Sequence, residues 1–112
     1  MSAHATVICT FRVKSGGEGE FIELLRRHWP KLHSLGLATA DKPVHYQGHE
    51  KSGGPIFFEI FSWVSEQASR EAHQHPEVMA IWEPMGALCE PREGRPPMEF
   101  PHVQPLVIDG QT

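Results

Sequence analysis

Residues 5–13 alternate, with Val7, Cys9, Phe11 and Val13 on one side and Thr6, Ile8, Thr10 and Arg12 on the other, the period of two that predicts a strand. Ser15-Gly16-Gly17 breaks it. Phe21, Leu24, Leu25, His28, Leu32 and Leu35 then recur at helical spacing, so a helix is expected from about Gly19 to Leu35, kinked near His28 and Trp29 by Pro30 and stopped at Gly36. Val44 to Glu50 reads as a short strand with His45, Gln47 and His49 on one face and Val44, Tyr46 and Gly48 on the other. Lys51-Ser52-Gly53-Gly54-Pro55 is a hairpin loop by composition. The run 56–64, IFFEIFSWV, is the most apolar of the chain and predicts the central strand, flanked on both faces.

Ser65 can cap the next helix, with Glu66 in its first turn. That helix should break near His75-Pro76 and resume with Val78, Ile81, Trp82, Met85 and Leu88 on one face, bending at Pro84. Met98 to Val103 is expected as a last strand, short or at an edge because five prolines lie between Pro91 and Pro105. The tail from residue 104 to 112 is expected to lie along a partner or to be loose.

Strand, helix, strand, strand, helix, strand is the βαββαβ order of an α+β ferredoxin-like fold, a four-stranded antiparallel sheet with two helices on one face. Its other face is left bare. The aromatic and branched residues of the central strand would make that face an apolar patch, and pairing with a second copy through it would bury the patch, giving a homodimer.

At 112 residues one domain is expected, spanning 1–112 with its core at about 5–103. A formal net charge of -4, with ten Lys and Arg scattered among fourteen acids, leaves no basic stripe for nucleic acid. Cys9 and Cys89 lack a paired metal-binding or redox spacing, and neither looks nucleophilic: Cys9 reads as a small core residue and Cys89 has Glu90 beside it and no basic neighbour. The residues Met1-Ser2-Ala3-His4-Ala5 do not read as a leader, lacking a basic stretch followed by an apolar one, and no run is long enough for a membrane span. The expected location is cytoplasmic.

The segment FFEIFSWVSEQA at 57–68, followed by AHQHPEV at 72–78, resembles the antibiotic biosynthesis monooxygenase domain family. That family has an aromatic-rich strand ending in Trp, a Ser-Glu-x-Ala helix start and a His-Pro turn, and the likeness covers roughly Ala5 to Glu90. The resemblance implies a dimeric α/β barrel with a pocket in each protomer between sheet and helices. It also implies one of several activities: cofactor-free oxygenation of polycyclic phenols, haem degradation, or isomerisation of a sugar derivative. The haem-degrading branch uses an Asn, a Trp and an iron-binding His where this chain has Phe11, Ala72 and Trp82 respectively, which disfavours that reading. A ligand-binding or stress-responsive barrel without turnover is the alternative to an enzyme.

For an oxygenase that uses no cofactor and no metal, the needs are aromatic walls, a donor for the developing oxyanion and one base. Trp63, Phe61 and Trp82 are candidate substrate walls; core packing explains Trp63 as well. His45 and His49 share a strand face and Thr10 and Arg12 share another; if these together form an interior patch, either histidine is a candidate base and Arg12 a stabiliser of a phenolate, and if not, the face is simply wet. His73 is placed at the pocket mouth by the resemblance, while two-residue spacing points His73 and His75 in different directions on a helix, so they cannot share a metal unless the backbone has already turned. Tyr46 reads as a half-buried packing residue. Glu59, in the middle of the aromatic strand, joins the candidate substrate-binding residues: pointing inward, it would need Arg12 or a histidine as partner.

Overall fold

A computed structural model describes residues 4–110; the expectations about Met1–Ala3, and about Gln111 and Thr112 of the tail, lie outside these. The strands are β1 (Ala5–Arg12), β2 (Val44–His49), β3 (Pro55–Trp63), β4 (Met98–Glu99) and β5 (His102–Val103). The helices are α1 (Glu18–Ser34), α2 (Glu66–Glu71) and α3 (Pro76–Ala87), with a single 3₁₀ turn at Ala72–Gln74 joining the last two. The sheet is antiparallel throughout, ordered β2-β3-β1 with β4 and β5 both on the far edge of β1. This is the α+β, ferredoxin-like arrangement expected from the pattern, as an open sheet and not a closed barrel.

The second helix is two helices. Ser65 Oγ accepts the Ala68 N–H at 3.2 Å and opens α2, and Pro76 sits at the start of α3, where its missing donor costs nothing. Pro30 and Pro84 both lie inside helices that continue through them. α1 ends one residue earlier than expected. Leu37 N–H reaches back to Leu32 O at 2.9 Å, with Gly36 at φ +76 supplying the left-handed residue this closure requires.

The last strand is split. Pro97 and Pro101 have no N–H, and each instead offers its carbonyl, to Arg12 N–H at 2.8 Å and Ile8 N–H at 3.1 Å. An edge segment can hold a neighbour by acceptors alone, but a regular ladder cannot be built that way, so only two residues on each side of Phe100-Pro101 count as strand.

Alternation along β1 and β3 divides the sheet. Val7, Cys9, Phe11, Phe57, Phe61 and Trp63 are buried under the helices with Phe21, Leu32, Val78 and Met85, and Phe21 packs on Phe11 and Phe57 at centroid distances of 4.9 and 5.3 Å. The opposite face carries Ile8, Ile56, Phe58 and Ile60, half-buried, with Val44, Tyr46 and Val103 exposed. β3 is therefore covered on one face, not both. Tyr46 stands on the bare face in solvent, where half-burial was expected, because β2 is an edge strand. In the tail, Leu106, Val107 and Ile108 are exposed.

Candidate active site

The antiparallel register puts Cys9 opposite Glu59 and Glu59 opposite His45. All three therefore point to the helix-covered face. A carboxylate there, fully out of solvent, must be matched by donors. The helical stripe of α1 supplies one, for His28 stands where the spacing would otherwise put a Leu. Its Nδ1 lies 2.6 Å from Glu59 Oε1, and His45 Nε2 lies 2.8 Å from Glu59 Oε2. On the other side of the ring, Trp82 Nε1 donates to His28 Nε2 at 2.7 Å.

This chain fixes the protons. An indole N–H can only donate, so His28 Nε2 must carry a lone pair and the His28 proton must sit on Nδ1, pointing at Glu59. Burial pushes the Glu59 carboxyl up, but the hydrogen bonds from His28 and then His45 hold it below the usual carboxylate range. His45 is raised, chiefly by its hydrogen bond to Glu59. The result is an ionised buried carboxylate between a neutral inner imidazole and an outer one that holds its proton more tightly than usual.

His28 faces a cavity of about 340 Å³ between the sheet and α2–α3. Phe61, Trp63, Trp82, Met85 and Phe100 form most of its wall, and His73, Arg70, Ser69 and His102 bring polar groups to it. Trp63 stands edge-on to Phe61 at 5.0 Å and to Trp82 at 6.5 Å, and the His73 ring meets Trp82 at 4.9 Å. A volume of this size, with aromatic walls and few polar groups, falls within the range of small-molecule sites in proteins generally.

The structure thus gathers Trp63, Phe61, Trp82 and His73 around one cavity and places Glu59 directly behind it. His45 is reached only through Glu59. Two candidates are elsewhere. Arg12 pairs with Ile56 and points to the opposite face of the sheet, where its guanidinium meets Glu99 Oε1 and Pro96 O, each at 2.8 Å, and Glu50 Oε2 at 3.4 Å. The shared patch of His45, His49, Thr10 and Arg12 therefore does not exist: Thr10 pairs with Phe58 and Arg12 with Ile56, whereas His45 pairs with Glu59 and His49 with Pro55, so the two sets lie on opposite faces. His49 is exposed at the end of β2, beside Glu50 and Arg95. The partner of Glu59 is a histidine pair and not Arg12.

His28 is the residue the sequence reading passed over. Its signal was present, as the one polar side chain in the apolar stripe of α1, in a protein whose central strand also carries an inward acid. Cys9 is buried, and burial with the charge of Glu59 pushes its thiol well up. Cys89 does have basic neighbours, Arg92 and Lys14, but burial outweighs their pull and raises it to about 11.

No family model matches the sequence, and no curated protein matches it either. Solved structures do. SnoaB, a cofactor-independent oxygenase from Streptomyces nogalater, superposes with a TM-score of 0.68 at 16% identity, over 98% of this chain and 100% of that one. A Chloroflexus aurantiacus protein provisionally assigned to the antibiotic biosynthesis monooxygenases gives 0.58 at 14% identity, over 96% and 98%. A dimeric ferredoxin-like protein of unknown function from Jannaschia sp. CCS1 gives 0.57 at 14% identity, over 91% and 99%. At these identities the likeness is one of architecture: the chain has the ferredoxin-like fold that these structures share.

Proposed function

We propose that this protein is a cofactor-independent oxygenase of small, flat, electron-rich phenols. The observation that carries this reading is an aromatic-walled cavity onto which opens an imidazole, His28, whose far nitrogen is held by a buried carboxylate. That pairing orients the ring, fixes its tautomer and stabilises the imidazolium formed when Nε2 takes a proton, the job a carboxylate does for a catalytic histidine elsewhere. A phenol hydroxyl entering the cavity displaces the Trp82 N–H from Nε2 and gives up its proton there. The phenolate is the electron donor and dioxygen the acceptor; one oxygen atom enters the ring and the other leaves as water with a ring hydrogen and the hydroxyl proton. Trp63 and Phe61 stack the substrate, the freed Trp82 N–H and Arg70 stabilise its negative oxygen, and His73 sits at the mouth. Arg12 and His49 have no part in this reading, because neither lines the cavity.

The bare sheet face supports pairing of two copies, as Ile8, Ile56, Phe58 and Ile60 form a contiguous apolar surface there. Phe58→Lys would then turn a dimer into a monomer in light scattering. No helix of the described residues is long and apolar enough to cross a membrane, and with both cysteines unpaired and buried, a cytoplasmic location is the one we favour.

The decisive experiment is an oxygen-electrode screen of anthrone-like, naphthol and dihydroxyarene compounds, with mass spectrometry of the products. Oxygen uptake that vanishes in His28→Gln, with an oxygenated product, supports the reading. Tight binding of such compounds with no uptake would leave a ligand-binding protein in its place.

A further inference from the structure

Glu59 is a bridge as well as an anchor. Its Oε1 meets His28, whose side chain is 4% exposed, and its Oε2 meets His45, whose side chain is 43% exposed. One carboxylate thus joins the wall of the cavity to the solvent edge of the sheet. The other ionisable groups near this chain come from every layer around it. Cys9 faces Glu59 from β1 as a neutral thiol, and Arg70 from α2, His73 from the 3₁₀ turn and His102 from β5 reach the cavity that His28 faces.

A proton arriving at His28 Nε2 makes that ring a cation touching the same carboxylate that holds His45. Two imidazolium ions then compete for one negative charge. The inner ring has no solvent to receive its proton and the outer ring has. We propose that His45 is the proton outlet of the cavity: when His28 takes a proton from a bound hydroxyl, His45 releases one to water, with Glu59 coupling the two. The step balances as phenol, neutral His28 and His45 imidazolium going to phenolate, His28 imidazolium, neutral His45 and one proton in solvent. It needs no oxidant. The source of the proton rests on the function proposed above; the coupling between the two histidines does not. His45 touches nothing in the cavity and is a positioning residue, acting through Glu59.

The test uses ¹⁵N-histidine NMR of the whole protein, with the titration of His45 as reporter. Trp82→Phe removes the N–H that blocks His28 Nε2 and lets His28 become a cation, so the His45 midpoint falls by about half a pH unit or more. In the double variant Trp82→Phe, His28→Gln it returns to the wild-type value, because Gln reproduces the neutral ring's donor to Glu59 and cannot take up a proton. A midpoint unmoved in the single variant, or still displaced in the double, overturns the coupling. A second arm adds 4-nitrophenol just below the His45 midpoint, its ionisation read by visible absorbance. Wild-type protein should bind it as the phenolate while the His45 signal moves to the neutral form, and His28→Gln should show neither change. Phenolate formation in the wild type with His45 unmoved overturns the proposal. Failure of any phenol to bind would count against the oxygenase reading, while the ligand-free titrations still decide the coupling.

Discussion

Two glutamates are withdrawn from solvent, Glu59 in the middle of the sheet and Glu50 at the end of β2, and they are neutralised differently. Glu59 is held by two imidazoles, while Glu50, with 9% of its side chain exposed, is held by three guanidiniums: Arg12 at 3.4 Å, Arg92 at 3.2 Å and Arg95 at 2.5 Å. Arg92 also donates to Pro55 O at 2.8 Å and to Val13 O, stapling the 91–97 loop to the ends of β1 and β3. Gly54 leaves room for the guanidinium, which a Cβ there would force to shift. Burial pushes Glu50 up, and the hydrogen bonds from Arg92 and Arg95 more than reverse it. Guanidiniums do not lose their charge in any ordinary pH range, so the Glu50 cluster is a fixed joint. Imidazoles do, so the Glu59 chain can exchange protons. The same local problem, a carboxylate out of water, yields a fastener in one place and a titratable site in the other because of which bases surround it.

The largest effect that tests this contrast is on stability. Glu59→Ala leaves the His28 Nδ1–H buried without an acceptor and opens a void, and should cost about 3 kcal/mol or more in urea unfolding. A near-neutral Glu59→Leu, which fills the void but gives His28 no acceptor, would show that packing, and not the polar chain, is what Glu59 contributes. Next comes turnover on whichever phenol the screen identifies: His28→Gln, which can keep both of its hydrogen bonds, should lower kcat by about 100-fold or more, whereas Arg92→Gln should leave it within about threefold, the scale on which context alone varies. Glu50→Ala follows at about 2 kcal/mol, less than Glu59→Ala because Arg95 can turn to water.

A smaller effect separates the sites by pH. His45 titrates above its ordinary 6.5 in the fold, so its contribution is complete below that value and is lost as the pH rises through the raised one. Both glutamates are held below their ordinary 4.5, so theirs is complete above that value and is lost as the pH falls. Acid weakens both clusters; mild alkali weakens only the histidine one. Denaturation midpoints at about pH 6 and about pH 9 should therefore differ in wild type and in Glu50→Gln, and the part due to His45 should disappear in Glu59→Gln. Smallest of all, Glu93→Ala removes an exposed ion pair to Arg95 and should change stability by less than about 0.5 kcal/mol.

The strands β1 and β3, the helical stripe of α1, the Ser65 cap and the break at Pro76 were legible in the sequence because each is a local matter of periodicity or of a missing donor. That Glu59, Phe61 and Trp63 share a face follows from alternation alone, which needs no partner, although which face points inward does not. What periodicity could not supply was the register between strands. A shift of one residue decides which face of a neighbour a side chain joins, and that is why Arg12 looked compatible with His45 and belongs to the other face. Nor could it show that His28 and Glu59, 31 positions apart, meet, for that depends on how α1 lies across β3. Local pattern placed an acid in the middle of the most apolar strand; the packing of α1 across β3 and the register with β2, which exist only in the folded chain, brought histidines and not arginines to meet it.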